Sequence, residues 1–130
     1  MEHAKITIIR NGIKEQASLN YDDTKGLIVF SMLNGFIKTY KANDLYLCLA
    51  KIRHEHPEIL FLCKGAKLNV TPSRMCSQMS GGAIAYDLKP GIPATRDDIV
   101  QIFDYEEENL SKDLKDQQNY YNQWIKSLQK

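Results

Sequence analysis

The sequence predicts an α+β fold, with an antiparallel sheet of about five to six strands, a central helix and a long C-terminal helix. Three observations predict it. Asn11-Gly12 and Asn34-Gly35, two hairpin-forming pairs, divide the first third of the chain into short β-branched or aromatic runs. After Asn43 the apolar spacing switches from a period of two to a helical step. The final stretch carries its apolar residues at helical steps in an otherwise polar sequence.

Lys5 to Arg10 reads KITIIR and runs into Asn11-Gly12. Ile13, Glu15, Ala17 and Leu19 then share one face of a second strand. Tyr21 to Gly26 is expected as a loop, Leu27 to Leu33 as a third strand, and Phe36 to Tyr40 as a fourth. The four make an antiparallel meander. Asn43 or Asp44 can cap a helix over Asp44 to Glu55, where Leu45, Leu49 and Ile52 repeat at helical spacing and Leu47, Cys48 and Ala50 flank them. Pro57 ends it, because the residue before proline disfavours helical geometry. Ile59 to Cys63 reads as a buried strand. Thr71 followed by Pro72 resembles a helix start, with a short helix over Ser73 to Met79 closed by Gly81-Gly82. Ala83 to Leu88 is a further strand, and Pro90, Gly91 and Pro93 stiffen the loop after it. Thr95 with Asp98 has the spacing of a capping box. Ile99 to Phe103 reads either as a helix end or as a final strand. Glu106 to Lys130 is predicted helical, with Leu110, Leu114, Tyr121, Ile125 and Leu128 on one stripe and three glutamates near its positive end.

At 130 residues the chain has the length of one domain, spanning 1–130. Such a chain buries roughly two thirds of its unfolded surface, enough for one core without metals or disulfides. Hydrophobic residues make up 43% and charged residues 25%, which excludes a disordered chain. The net charge of +1 argues against a dedicated nucleic-acid binder, whose affinity comes from a basic excess. Cys48, Cys63 and Cys76 are scattered and odd in number, which fits a reducing compartment and not a zinc site. No signal-peptide core opens the chain and no apolar run reaches membrane-spanning length. The expected location is the cytoplasm.

The familiar catalytic patterns are absent: no phosphate-loop lysine motif, no metalloprotease histidine pair and no nucleophile elbow. His54 and His56 lie two apart, which points them to different sides of a helix. They read as cations at its C-terminus rather than as metal ligands. Cys76 near a helix start, with Arg74 beside it, is the one candidate thiol nucleophile, and His54 or His56 would be its base. A structural thiol is the simpler reading. Gly65-Ala66-Lys67 and Ser80-Gly81-Gly82, with Arg74, can be read as an anion cradle or as turns that need glycine. Neither cofactor nor metal is expected.

Charge is unevenly placed. From Arg96 onward five bases stand against eight acids, a balance of −3, while the rest of the chain carries +4. Asp97, Asp98, Asp104, Glu106, Glu107 and Glu108 form the acidic cluster, either a solvated helix start or a surface for a basic partner.

The stretch from Leu62 to Phe103 carries a distinctive order of residues. Cys63, Gly65 and Ala66 form a turn after a strand; Val70, Pro72, Ser73 and Met75 follow; Met79, Gly81 and Gly82 make a second turn; Ala85 and Tyr86 open a strand. This order resembles a family of small bacterial proteins often encoded beside polymorphic or contact-dependent growth-inhibition toxins, the CdiI-like immunity proteins. The resemblance covers about a third of the chain. It implies a protein that binds and neutralises a cognate toxin, and it transfers neither catalytic nor toxin-contact residues; with the composition, no membrane and no direct nucleic-acid partner are expected. If that toxin is a nuclease, the six acidic residues named above are the expected complement to its basic site. Two alternatives stay open: a small enzyme or anion-binding domain centred on Lys67, Ser73, Arg74, Cys76 and Gly81-Gly82, and a nucleic-acid binder using Lys64, Lys67 and Arg74.

Overall fold

Asn11 and Gly12 both take positive φ, 54° and 76°, the geometry of a turn whose twist matches that of the strands it joins. They connect β1 (Glu2–Arg10) to β2 (Ile13–Asp22) with an unbroken antiparallel register from Glu2↔Tyr21 to Arg10↔Ile13. β3 (Leu27–Ser31) and β4 (Ile37–Lys41) extend the meander, and β5 (Leu60–Leu62) adds to the free side of β1. The resulting sheet has the order β4-β3-β2-β1-β5. A second sheet, β6-β7-β8, is formed by Val70–Thr71, Ile84–Asp87 and Ile99–Gln101. The helices are α1 (Leu45–Glu55), α2 (Arg74–Ser80) and α3 (Leu114–Ser127). This is a computed structural model, and it describes residues 1–129. Lys130, placed in the C-terminal helix by its sequence, lies outside the described residues.

The α+β class holds, with the strands divided between two antiparallel sheets. One face of the five-stranded sheet carries Ile6, Ile8, Ala17, Leu19, Ile28, Phe30, Tyr40 and Phe61, all buried. Across the strands these residues align in rows, Ala4↔Leu19↔Phe30 and Tyr21↔Ile28↔Tyr40. α1 lays Leu45, Cys48, Leu49 and Ile52 on this face, each fully buried. Each such leucine or isoleucine contributes roughly 1.5–3 kcal/mol. α1 also buries a second stripe, Tyr46, Ala50 and Arg53, at steps of four and three. It is therefore enclosed on two sides, with the Tyr46 hydroxyl donating to the Val70 carbonyl at 2.8 Å.

Several boundaries differ from expectation, each for a local reason. β3 stops at Ser31, because Met32 to Phe36 closes a wider turn in which the Met32 amide donates to the Phe36 carbonyl and the Asn34 side chain accepts from the Phe36 amide. Ser73, not Thr71, caps α2, its hydroxyl accepting from the Cys76 amide at 3.0 Å. Ile99–Gln101 is a strand, and Thr95–Asp98 is a capping box on a single 3-10 turn. His56 is buried, not solvated. Its ring sits between Phe30 and Phe36 and bonds the Tyr40 hydroxyl at 3.1 Å.

The largest difference lies at the C-terminus. Glu106 to Lys112 is not helical. From Ile102 to Lys112 the chain forms a strap whose backbone pairs with the turn after β5: Lys64 donates to the Asp104 carbonyl, Gly65 to Ile102, Leu68 to Asn109, and Ser111 to Ala66, each at 2.8 Å. Those long-range bonds replace the local ones a helix would make. α3 begins only after Asp113, whose side chain accepts from the Asp116 amide at 3.0 Å.

Gly81 and Gly82 lock α2 against the start of α1. Both have positive φ, and the Gly81 carbonyl accepts from the Leu45 amide at 2.7 Å. A Cβ on Gly81 would lie 2.1 Å from the Asp23 carbonyl oxygen, whereas one on Gly12 would meet nothing within 4 Å. Gly81→Ala is expected to lower stability by about 2–4 kcal/mol and Gly12→Ala by about 1 kcal/mol, read from urea denaturation midpoints at constant slope. Equal losses would show that the close approach at Gly81 carries no energy.

Candidate functional site

The Cys76 thiol is buried, and neither histidine reaches it. Cys76 adjoins Ser77, whose hydroxyl donates to Asp44 Oδ2 at 2.6 Å at the N-cap of α1. His54 lies ten residues further along that helix, roughly 15 Å away at 1.5 Å per residue. His56 is held by Tyr40. No thiol–imidazole pair forms. Burial also pushes the Cys48 and Cys63 thiols up to about 11, which keeps them protonated at neutral pH. Among the described residues no group of three or more His, Cys, Asp or Glu side chains is placed to hold a metal ion.

The proposed anion cradle is used internally. The Gly65 amide donates to Ile102, Ala66 to Cys63, Lys67 to Lys64, and Gly82 to Cys76. Gly65 is a contact glycine: a Cβ there would sit 2.7 Å from Leu49 Cδ2. Lys67 is neutralised, its ammonium lying 3.1 Å from both Asp87 Oδ2 and Glu106 Oε1. Lys64 also reaches Glu106, at 3.4 Å. The basic stripe of Lys64, Lys67 and Arg74 is thus reduced to Arg74. That side chain stands at the rim of an open cleft of about 620 Å³ between α1, α2 and α3, lined also by Tyr46, Thr71, Ser73, Ser77 and Tyr121.

The six acidic residues separate into two groups. Glu106 is turned inward, its side chain 13% exposed. Its Oε2 accepts the Glu107 and Glu108 amides at 3.2 and 3.1 Å. Burial raises its pKa, but the Glu108 amide, Lys67 and Lys64 outweigh it and hold the carboxyl near 2. Asp98 accepts the Thr95 amide and the Lys89 ammonium, both at 2.9 Å, and these hold it below its ordinary value. Asp97, Asp104, Glu107 and Glu108 are exposed and form no ion pair among the described residues. Asp104, Glu107 and Glu108 lie on the strap, so a backbone paired to the 62–68 turn fixes where they point. Tyr105, 48% exposed, sits among them and donates to Glu107 at 2.9 Å.

The motif residues are mostly structural. Cys63, Gly65, Ala66, Val70, Gly82 and Ala85 are buried, Ser73 caps α2, and Pro72, Gly81 and Tyr86 are half-buried. Met75 and Met79 are the exceptions, 65% and 81% exposed on the outer side of α2.

Two residues that hold the strap have no motif. Arg53 is 5% exposed and donates to Gln117 Oε1 at 3.0 Å, to the Ser111 carbonyl at 3.0 Å and to the Ser111 hydroxyl at 2.7 Å. Gln117, fully buried, donates to the Gly65 and Lys67 carbonyls, both at 2.9 Å. The available signal for Arg53 was its place seven residues after Tyr46 on the second stripe of α1. Gln117 follows Leu110 and Leu114 by seven and three, a position an apolar search passes over.

No protein-family model matches the chain, and no curated protein matches it at a significant level.

Gln117→Leu leaves the Arg53 guanidinium and two carbonyls without this partner and is expected to cost about 2–4 kcal/mol, measured by urea denaturation. A loss under about 0.5 kcal/mol would show the network to be incidental. The depressed Glu106 carboxyl supplies stability that is present above its unfolded value of 4.5 and lost as pH falls toward about 2. Glu106→Gln should therefore destabilise by about 1–3 kcal/mol at pH 7, with the gap closing in that acid window. A gap independent of pH from 7 to 2 would show that the ion network is not its source.

Proposed function

We propose that this chain is an immunity protein: it binds a cognate bacterial toxin in the cytoplasm and neutralises it by protein–protein contact, without catalysis of its own. The observation that carries the reading is the display of three unpaired carboxylates, Asp104, Glu107 and Glu108, on a strap fixed by backbone pairing, with Asp97 exposed on the 3-10 turn before β8. Preset charge at fixed positions speeds encounter with an oppositely charged surface and sets register. A nuclease presents such a surface, because its substrate is a polyanion. The order of motif residues from Cys63 to Tyr86 supports the same reading through its resemblance to CdiI-like immunity proteins.

A second reading, a small enzyme or anion-binding domain at segment 65–82, draws on the cleft beside Arg74. It is weakened by the internal use of the Gly65 and Gly82 amides and by the neutralisation of Lys67.

The direct test is co-expression with the C-terminal domain of each large protein encoded next to this chain's gene. A stoichiometric complex and rescue of growth are expected; neither complex nor rescue would sink the proposal. Reversing Asp97, Asp104, Glu107 and Glu108 to lysine should weaken the complex at least tenfold, chiefly by slowing association, and should flatten its salt dependence. Reversing Asp98 or Glu106 should instead lower folding stability. Unchanged affinity after reversal of the four would remove them from the interface.

A further inference from the structure

The two hairpin tips of the five-stranded sheet carry apolar residues that the fold does not use. Ile13 is 66% exposed and Leu33 76%. Neither belongs to the buried core or packs against it. Single exposed apolar residues are ordinary, but these two line one groove of about 430 Å³, together with Arg10, Asn11, Lys14 and Asn34. The groove walls are held rigidly. Asn11-Gly12 closes one tip, and the other is closed by the Gly35 amide on the Met32 carbonyl at 3.1 Å.

The groove adjoins the acidic strap. Lys14 bridges the two, its ammonium 3.2 Å from the Tyr105 hydroxyl and 5.7 Å from the centre of that ring. Arg10 near the groove pairs with Glu15 at 2.6 Å, while Lys14 keeps its charge beside the neutral Tyr105 hydroxyl. The neighbouring Asp104, Glu107 and Glu108 form no ion pair, and with one free lysine against three carboxylates the local balance stays negative. This end of the molecule therefore offers an apolar centre and an aromatic ring beside uncompensated negative charge. Protein interfaces are built this way, with an apolar, well-packed centre and a charged rim.

We infer that the Ile13–Leu33 groove and the Tyr105 strap form one docking surface for a basic protein partner, which inserts an apolar side chain between the hairpin tips and sets flanking lysines or arginines on Asp104, Glu107 and Glu108. The inference rests on the reading that the chain acts by protein contact. It deepens that reading by adding the hairpin tips, which carry none of the six acidic residues and lie outside the motif segment.

The test uses the full chain and a defined probe, a synthetic amphipathic helix of leucine and lysine, titrated into isotopically labelled protein and followed by amide chemical shifts. Shifts centred on residues 11–14, 32–35 and 104–108 are expected. Ile13→Ser with Leu33→Ser should weaken peptide binding at least tenfold while leaving the thermal midpoint within the wild-type range, since both side chains are exposed. Shifts centred elsewhere, no binding, or binding unaffected by the double substitution would overturn the surface. The peptide result stands apart from the co-expression result. A positive titration with no toxin complex would keep the surface and reject the toxin; a toxin complex insensitive to Ile13 and Leu33 would keep the toxin and reject the surface.

Discussion

The buried Arg53 guanidinium is the constraint on which the placement of the C-terminal third depends. An isolated charge in a protein interior costs several kcal/mol, so its donors must all be met. Here the acceptors are neutral: the Gln117 amide oxygen and the Ser111 carbonyl and hydroxyl. Burial lowers the arginine's pKa, but a guanidinium starts so far above neutrality that it stays charged. One charge on α1 thereby requires the strap and the first turns of α3 to be in one place. Gln117 extends the requirement to the Gly65 and Lys67 carbonyls, so α1, the 64–67 turn and α3 share a single set of bonds. α3 buries no other side chain. Leu114 packs, partly buried, against the core, and further ties are polar and peripheral, such as Trp124 to the Ile92 carbonyl at 3.1 Å and the Gly91 amide to Ser127 at 2.8 Å.

The same logic distributes the surface charge. A net charge of +1 suggests a bland electrostatic surface, but the balance conceals a sorting. Lys64, Lys67 and Lys89 are each paired with a carboxylate from Asp87, Asp98 or Glu106. Asn69 adds to this cluster, donating to Asp87 and to the Leu88 carbonyl and accepting from Asn109. The pairing draws the strap onto the core and uses those three bases. On the strap the remaining acids, Asp104, Glu107 and Glu108, form no ion pair, so an approaching macromolecule meets a local negative patch that the net charge conceals.

The meander, α1 and α2 were legible because their signals are local: Asn-Gly turns, an alternating or helical apolar period, and a capping serine or aspartate. The strap was not. DYEEENL has the composition of a helix start, and its acids suit a helix dipole. What decides otherwise is non-local, namely four backbone bonds to residues 64–68 and two lysines that draw Glu106 inward. His56 departs from expectation for a related reason. Its position after a helix suggested solvent, while its surroundings are set by Phe30 and Phe36 from the sheet. Arg53 and Gln117 were invisible because polar residues at buried positions interrupt the apolar pattern that locates a core. Of the six acidic positions, their acidity was readable and their sorting was not, since sorting depends on which lysines fold beside them.

These observations divide the molecule by how its polar groups are used. From the 62–68 turn across α2 to β7, polar atoms face inward and find partners, and the glycines permit close approaches to Asp23, Asp44 and Ile102. No buried side-chain nitrogen or oxygen among the described residues lacks a hydrogen bond. The backbone amides of Gly65, Ala66, Lys67 and Gly82 are spent within the fold, while Arg74 stays at the open cleft between α1, α2 and α3. The groups without internal partners lie outward, on the hairpin tips, on the strap and on α2. A rigid frame that leaves charges and apolar side chains unsatisfied only at its periphery is suited to recognising a surface.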